Sequence, residues 1–137
     1  SKVELKEKKD RVEDAIYATK AALKEGIVPG GGVALLNASQ KIEPTNVGEE
    51  ILLKAVKSPF EVIMSNAGFE AIGYPEKEGV GVNVVTGEEV DMVAEGIIDP
   101  VLVTKSALKN AVSVVMTIVS ADCVISNARQ DDYESDK

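Results

Sequence analysis

Residues 26–35 read GIVPGGGVAL, a proline followed by three glycines and then an apolar run. Consecutive glycines permit positive φ and let other backbone come close. Residues 30–32 are therefore a turn, and an apolar helix follows over roughly residues 33–40. The run is not a phosphate loop, because no Lys-Ser or Lys-Thr pair follows it. Nor is it the dinucleotide fingerprint, because Leu35 stands where the last glycine belongs. Two readings stay open: a plain turn before a helix, or a backbone surface that a flat ligand can approach.

Upstream of the turn, residues 3–25 read as one helix. Leu5, Val12, Ile16, Thr19 and Leu23 fall on one stripe at helical spacing. Glu4 with Lys8, and Glu7 with Arg11, are supporting i,i+4 pairs, and Gly26 is a C-terminal stop. Asp10 and Asp14 lie opposite the stripe, so the helix is expected to pack by its apolar side and present acids on the other. Asp14 is then either a solvated acid or a carboxylate on a moving helix, able to orient a water for attack.

Downstream, KIEPT at 41–45 reads as a loop. Asn46 caps the next helix with Glu49 as its reciprocal partner, and that helix runs to about Lys57. Ser58, Pro59 and Glu61 signal a second start, as cap, first helical position and return partner. Gly68 ends that helix. Residues 69–81 read as an irregular loop. VNVVT at 82–86 and EVDM at 89–92 are β-prone runs flanking Gly87, a candidate hairpin. Asp99-Pro100 is a further cap and first-position pair, although a carboxylate there could also accept hydrogen bonds from ribose hydroxyls. The helix it opens, about residues 100–121, is apolar nearly all round and is expected in the middle of the core. CVISN at 123–127 reads as a terminal strand that buries Cys123 as an inert thiol. Residues 128–137 read as a disordered acidic tail. The fold class is mostly α, a helical bundle with a small β-hairpin and a C-terminal strand.

Composition narrows the chemistry. The chain has 137 residues, a net charge of −8 and no histidine. A negative surface repels phosphate backbones, which argues against a nucleic-acid partner. Without histidine, a Ser-His-Asp or Cys-His triad cannot be built within the chain. One cysteine and carboxylates alone are a poor zinc set, so no metal site is expected. No uninterrupted apolar window of about 18 residues exists, so no membrane span is expected. The charged opening SKVELKEKKD has no apolar signal core. A first residue Ser in an already helical pattern suggests a piece of a longer protein.

Taken in order and at these spacings, the motifs resemble group I chaperonins (the GroEL family). VELKEKKDRVEDAIYAT at 3–19, EGIVPGGGVAL at 25–35, NVG at 46–48, the hairpin segment, GIIDP at 96–100 and KSALKNA at 105–111 carry the likeness up to about residue 127. The resemblance implies the fold of the chaperonin equatorial domain. Residues 1–25 would be the returning helix of the intermediate domain. Residues 26–127 would be the C-terminal half of the equatorial, ATP-binding domain. It implies an ATP-dependent machine whose identical subunits form a seven-membered ring around unfolded client proteins. Residue by residue, Asp14 would activate the attacking water and Gly31 would meet the sugar and base. Asn83 and Val84 would contact adenine, Ile97 would pack against it, and Asp99 would bind the ribose.

The resemblance also implies Mg2+ and K+ in the full-length protein, with ligands outside this chain, since no DGTTT-like run occurs here. Clients and a co-chaperonin would bind an apical domain that is likewise absent. The location would be the cytoplasm of a bacterium or an organelle matrix. Residues 68–82 are shorter than the family pattern, and Pro29 and the Val84-Val85 pair replace smaller residues. The alternative is a stand-alone helical interaction module that keeps the fold without ATPase activity.

Overall fold

Of the three helix caps that the sequence suggests, Asn46 is observed and Ser58 and Asp99 are not. In the computed structural model, which describes residues 1–69, 73–123, 125 and 126, α1 spans Lys2–Glu25 and stops at Gly26, whose φ is 85°. A short strand β1 (Ile27–Pro29) leads into the glycine turn, and α2 covers Val33–Lys41. Helix α3 (Val47–Ala55) is capped by Asn46, whose side chain accepts from the Glu49 N–H at 3.0 Å. The Glu49 carboxylate does not return to Asn46. It takes the Thr45 N–H and hydroxyl at 2.7 and 2.8 Å, and these bonds hold its pKa below the ordinary value.

Helix α4 covers Ser58–Asn66 with Lys57 at its cap position and no side-chain cap bond, so Ser58 is already helical rather than the cap. The hairpin is β2 (Val80–Asn83) paired antiparallel with β3 (Glu88–Asp91). It begins two residues before the expected run, and Val84 and Val85 stand in its turn. The reason is local: the Asn83 carbonyl accepts from the Thr86 and Gly87 N–H groups, and its side chain from the Val85 N–H, which closes the turn over residues 83–87. Strand β4 (Ile98–Pro100) pairs antiparallel with β1. Asp99 is therefore a strand residue and not a helix cap, and α5 (Val101–Val119) starts beyond it.

The chain divides into residues 1–105 and 106–137. In the first unit the core comprises Val33, Leu36, Phe60, Met64, Val82 and Met92, with Ile63, Phe69, Val90 and Ile97 packed against it. Each such side chain contributes about 1.5–3 kcal/mol when fully buried. Helix α1 joins by an unexpected face. Leu5, Val12, Ile16 and Leu23 are all exposed, whereas Ala21 is buried and Ala18 and Ala22 are half-buried. Small side chains let the helix lie close against β4, which the larger stripe residues could not.

The second unit begins inside α5. No residue of that helix is buried, and Val114, Val115, Met116, Ile118 and Val119 are each more than half exposed. The expected central position in the core is thus not observed: an all-round apolar helix needs neighbours on every side, and the described residues do not supply them. By length and mean hydropathy Val101–Val119 could also cross a bilayer, because Lys105, Asn110 and the other polar positions are too few to lower the average. Cys123 is exposed, not buried. Cys123, Ile125 and Ser126 form no strand. Val124, Asn127 and the expected tail at 128–137 lie outside the described residues.

Three close approaches hold the glycine turn. A Cβ on Gly30 would stand 3.1 Å from the Ile97 carbonyl carbon, and one on Gly31 would stand 3.0 Å from Met92 Cε. One on Gly32 would stand 2.6 Å from the Phe60 nitrogen. Gly32 also has φ 79°, so it needs glycine twice over. Gly32→Ala is expected to cost about 3 kcal/mol, a left-handed backbone penalty plus overpacking. Gly68→Ala, at φ 81° with nothing within 4 Å of the added carbon among the described residues, should cost only about 1–2 kcal/mol. Urea midpoints of the two variants check this. Equal losses would mean that the Phe60 contact contributes nothing.

Candidate functional site

The pairing of β1 with β4 assembles the centre of the site. Val28 lies opposite Asp99 and Pro29 opposite Ile98. The Gly30 N–H extends the ladder, donating to the Ile97 carbonyl at 2.9 Å. Gly31, half-buried at φ 63°, therefore follows immediately on the strand that faces Asp99. Sequence reasoning singled out Gly31, Ile97 and Asp99 separately; the strand pair places them in one locality. It foresaw neither strand, although IVP at 27–29 and IDP at 98–100 share a signal: a β-branched start and a proline end, suited to short edge strands.

Around that centre the groups differ in kind. Ile97 is half-buried and packs against the core. Asp99 is open to solvent by area, yet enough atoms crowd its carboxyl that desolvation raises its pKa above the ordinary value. Asn83 and Val84 lie at the hairpin turn. The Asn83 Oδ1 accepts from the Val85 N–H at 3.0 Å, and its amide NH2 is a donor.

The hairpin reaches the glycine turn through Met92, which sequence analysis did not single out. A Cβ on Gly81 would stand 2.6 Å from Val33 Cγ2 and 2.7 Å from the Met92 sulfur. No local pattern pairs Met92 with Gly31 or Gly81, so nothing in the sequence announces it.

Asp14 is apart from this group. It is exposed, and Gly26 lies twelve positions further on, about 18 Å along the axis at the standard rise. Its spacing to Ala18 and Ala21 nevertheless puts it on the face of α1 that lies against β4, about 10 Å beyond Ala21. At its near end α1 is tied down: the Val101 N–H donates to the Gly26 carbonyl at 3.1 Å, and Lys105 Nζ meets the Glu25 carboxylate at 2.6 Å.

Chemically, the centre offers an apolar ledge, a carboxylate and glycine backbone. None of Gly31, Asn83, Val84, Ile97 and Asp99 is cationic, so these residues supply nothing to neutralise a phosphate. No group of three metal-ligating side chains occurs among the described residues. A cavity of about 510 Å³ lies elsewhere, lined by Tyr74, Glu76, Lys77, Glu89 and Asp91 among others, and includes none of these five residues.

The sequence model of the TCP-1/cpn60 chaperonin family matches residues 1–129. A crystal structure of a group III chaperonin in the open state is similar over 77% of this chain, with a TM-score of 0.63 and 27% identity. The chain spans 25% of that chain's length.

The raised Asp99 pKa has a definite sign in stability. Ionising the carboxyl is costlier in the folded state, so a contribution present below the ordinary aspartate value is lost as pH rises through the raised one. Asp99→Asn should therefore resist urea better than the parent at neutral pH, with the difference shrinking in acid below the usual carboxylate range. Urea midpoints against pH test it. A parental midpoint at neutral pH would contradict the desolvation of Asp99.

Proposed function

The chain belongs to the TCP-1/cpn60 chaperonin family, and on that premise we propose that it is the C-terminal intermediate and equatorial part of a group I chaperonin subunit. In this reading it supplies adenine and ribose contacts to an ATP site. Gly31 admits the sugar and base, Ile97 is the surface on which adenine rests, and Asn83 and Val84 contact its edge. Asp99 accepts from the ribose hydroxyls. Asp14 orients the attacking water once α1 swings toward the nucleotide. The carrying observation is the β1–β4 pair, which sets Asp99 and Ile97 beside the glycine turn. The position of Asp14 on the face of α1 that meets β4 supports its role.

The group I assignment rests on GIVPGGGVAL and GIIDP. ATP drives the cycle, with Mg2+ and K+ held by residues outside this chain. The partners are identical subunits in a ring, with clients and a co-chaperonin bound by an apical domain. A bacterial cytoplasm or an organelle matrix is the location consistent with that machinery. The exposed apolar surface of α5 is covered, in this reading, by the other half of the equatorial domain and not by lipid.

Phosphoryl transfer depends on positioning and on neutralising charge around the transferred group. The 137-residue chain alone is therefore expected to bind ATP weakly, without metal dependence, and not to hydrolyse it. In the full-length subunit, Asp14→Ala should spare ATP binding and slow hydrolysis by roughly a hundredfold or more, typical of losing a positioned acid–base group. Asp99→Ala should weaken binding instead. Binding and turnover assays on both variants decide the matter: a parental rate for Asp14→Ala returns Asp14 to a solvated helix-face acid.

A further inference from the structure

Met92 lies just after β3 with its side chain almost wholly buried, at 2% exposure. Its methyl carbon occupies the space a Cβ on Gly31 would need, at 3.0 Å, and its sulfur, together with Val33 Cγ2, that of a Cβ on Gly81, at 2.7 and 2.6 Å. The unbranched thioether thus fills a gap between two backbones, each bare of a side chain at the point of contact. Its main chain is equally committed. The N–H donates to the Gly79 carbonyl at 3.0 Å, and the carbonyl accepts from the Ile97 N–H at 2.8 Å. Ile97 is in turn bonded to Gly30. One residue therefore touches the glycine turn, the strand that ends in Asn83, and the segment that carries Ile97 toward Asp99.

We infer that Met92 is a positioning residue of the nucleotide site, setting the spacing between the base-contacting hairpin and the glycine turn. The inference rests on the nucleotide reading above. Interiors pack closely enough that a missing atom shifts its neighbours. A shift of the turn against the hairpin separates the groups assigned to the base edge from those assigned to the sugar. Groups assigned to the phosphates lie outside this chain and do not feel it. The role is therefore specific to the nucleoside half of the ligand.

The test uses the full-length subunit with Met92→Leu, Met92→Ala and Asp99→Ala, titrated with adenosine, ATP and inorganic triphosphate. Leucine conserves volume and can fill the space of the sulfur, but has no atom to replace the terminal methyl on Gly31. Met92→Leu is expected to keep a near-parental melting temperature and bind adenosine and ATP about fivefold more weakly, with kcat at saturation within about twofold. Met92→Ala should weaken both by about twentyfold or more. Triphosphate affinity should stay parental in both. If either folded Met92 variant binds adenosine as the parent does while Asp99→Ala weakens it, the inference falls and the nucleotide reading stands. Equal losses for triphosphate and adenosine would also overturn it, since Met92 would then act only through general stability. If the parent does not bind adenosine, or Asp99→Ala binds it unchanged, the reading fails and takes the inference with it. Should Met92→Ala not fold, Met92→Leu decides alone.

Discussion

Backbone approach at the glycine turn is the constraint on which the first unit depends. Gly30, Gly31 and Gly32 meet Ile97, Met92 and Phe60 in turn. Three separate elements — the segment before β4, the end of the hairpin and the start of α4 — are thereby gathered on three successive residues. Side chains there would force each neighbour outward by a different amount. A run of glycines therefore does more here than reverse the chain: it is the point where α2, α4, the hairpin and Ile97, just before β4, share one core. Phe60 and Met92 are among the largest fully buried side chains, and both lie directly on the turn.

Helix α1 shows how packing can override the most visible pattern. Its large apolar residues form a clear stripe, yet the residues it buries or half-buries are alanines. Close approach of a helix to a two-stranded ribbon requires small side chains, and only Ala18, Ala21 and Ala22 provide them near the joint. The stripe of Val12, Ile16 and Leu23 is left open. The same choice of face turns Asp14 toward the side on which Asp99 lies, which the stripe alone would have placed opposite the packing surface.

Helix α5 shows the converse. Its composition demands cover on all sides, and its residues are nonetheless unburied. A pattern of apolar residues records the surroundings in which a helix is stable and cannot say which chain supplies them.

Local chemistry was legible from the sequence because its partners are near in the chain. Gly26 as a stop, Asn46 as a cap, the hairpin around Gly87 and the turn before Val33 all rest on interactions spanning a few residues. The family was legible for a related reason: GIVPGGGVAL and GIIDP are short runs with an ordered separation. Tertiary structure alone decided what depends on distant residues meeting. It paired Val28 with Asp99, which made Asp99 a strand residue rather than a helix cap. It chose the alanine face of α1 over the larger stripe. It set Met92 between Gly31 and Gly81. Each of these contacts depends on distances between backbones that no local spacing encodes, because they are set only when the core around Phe60 and Leu36 has closed.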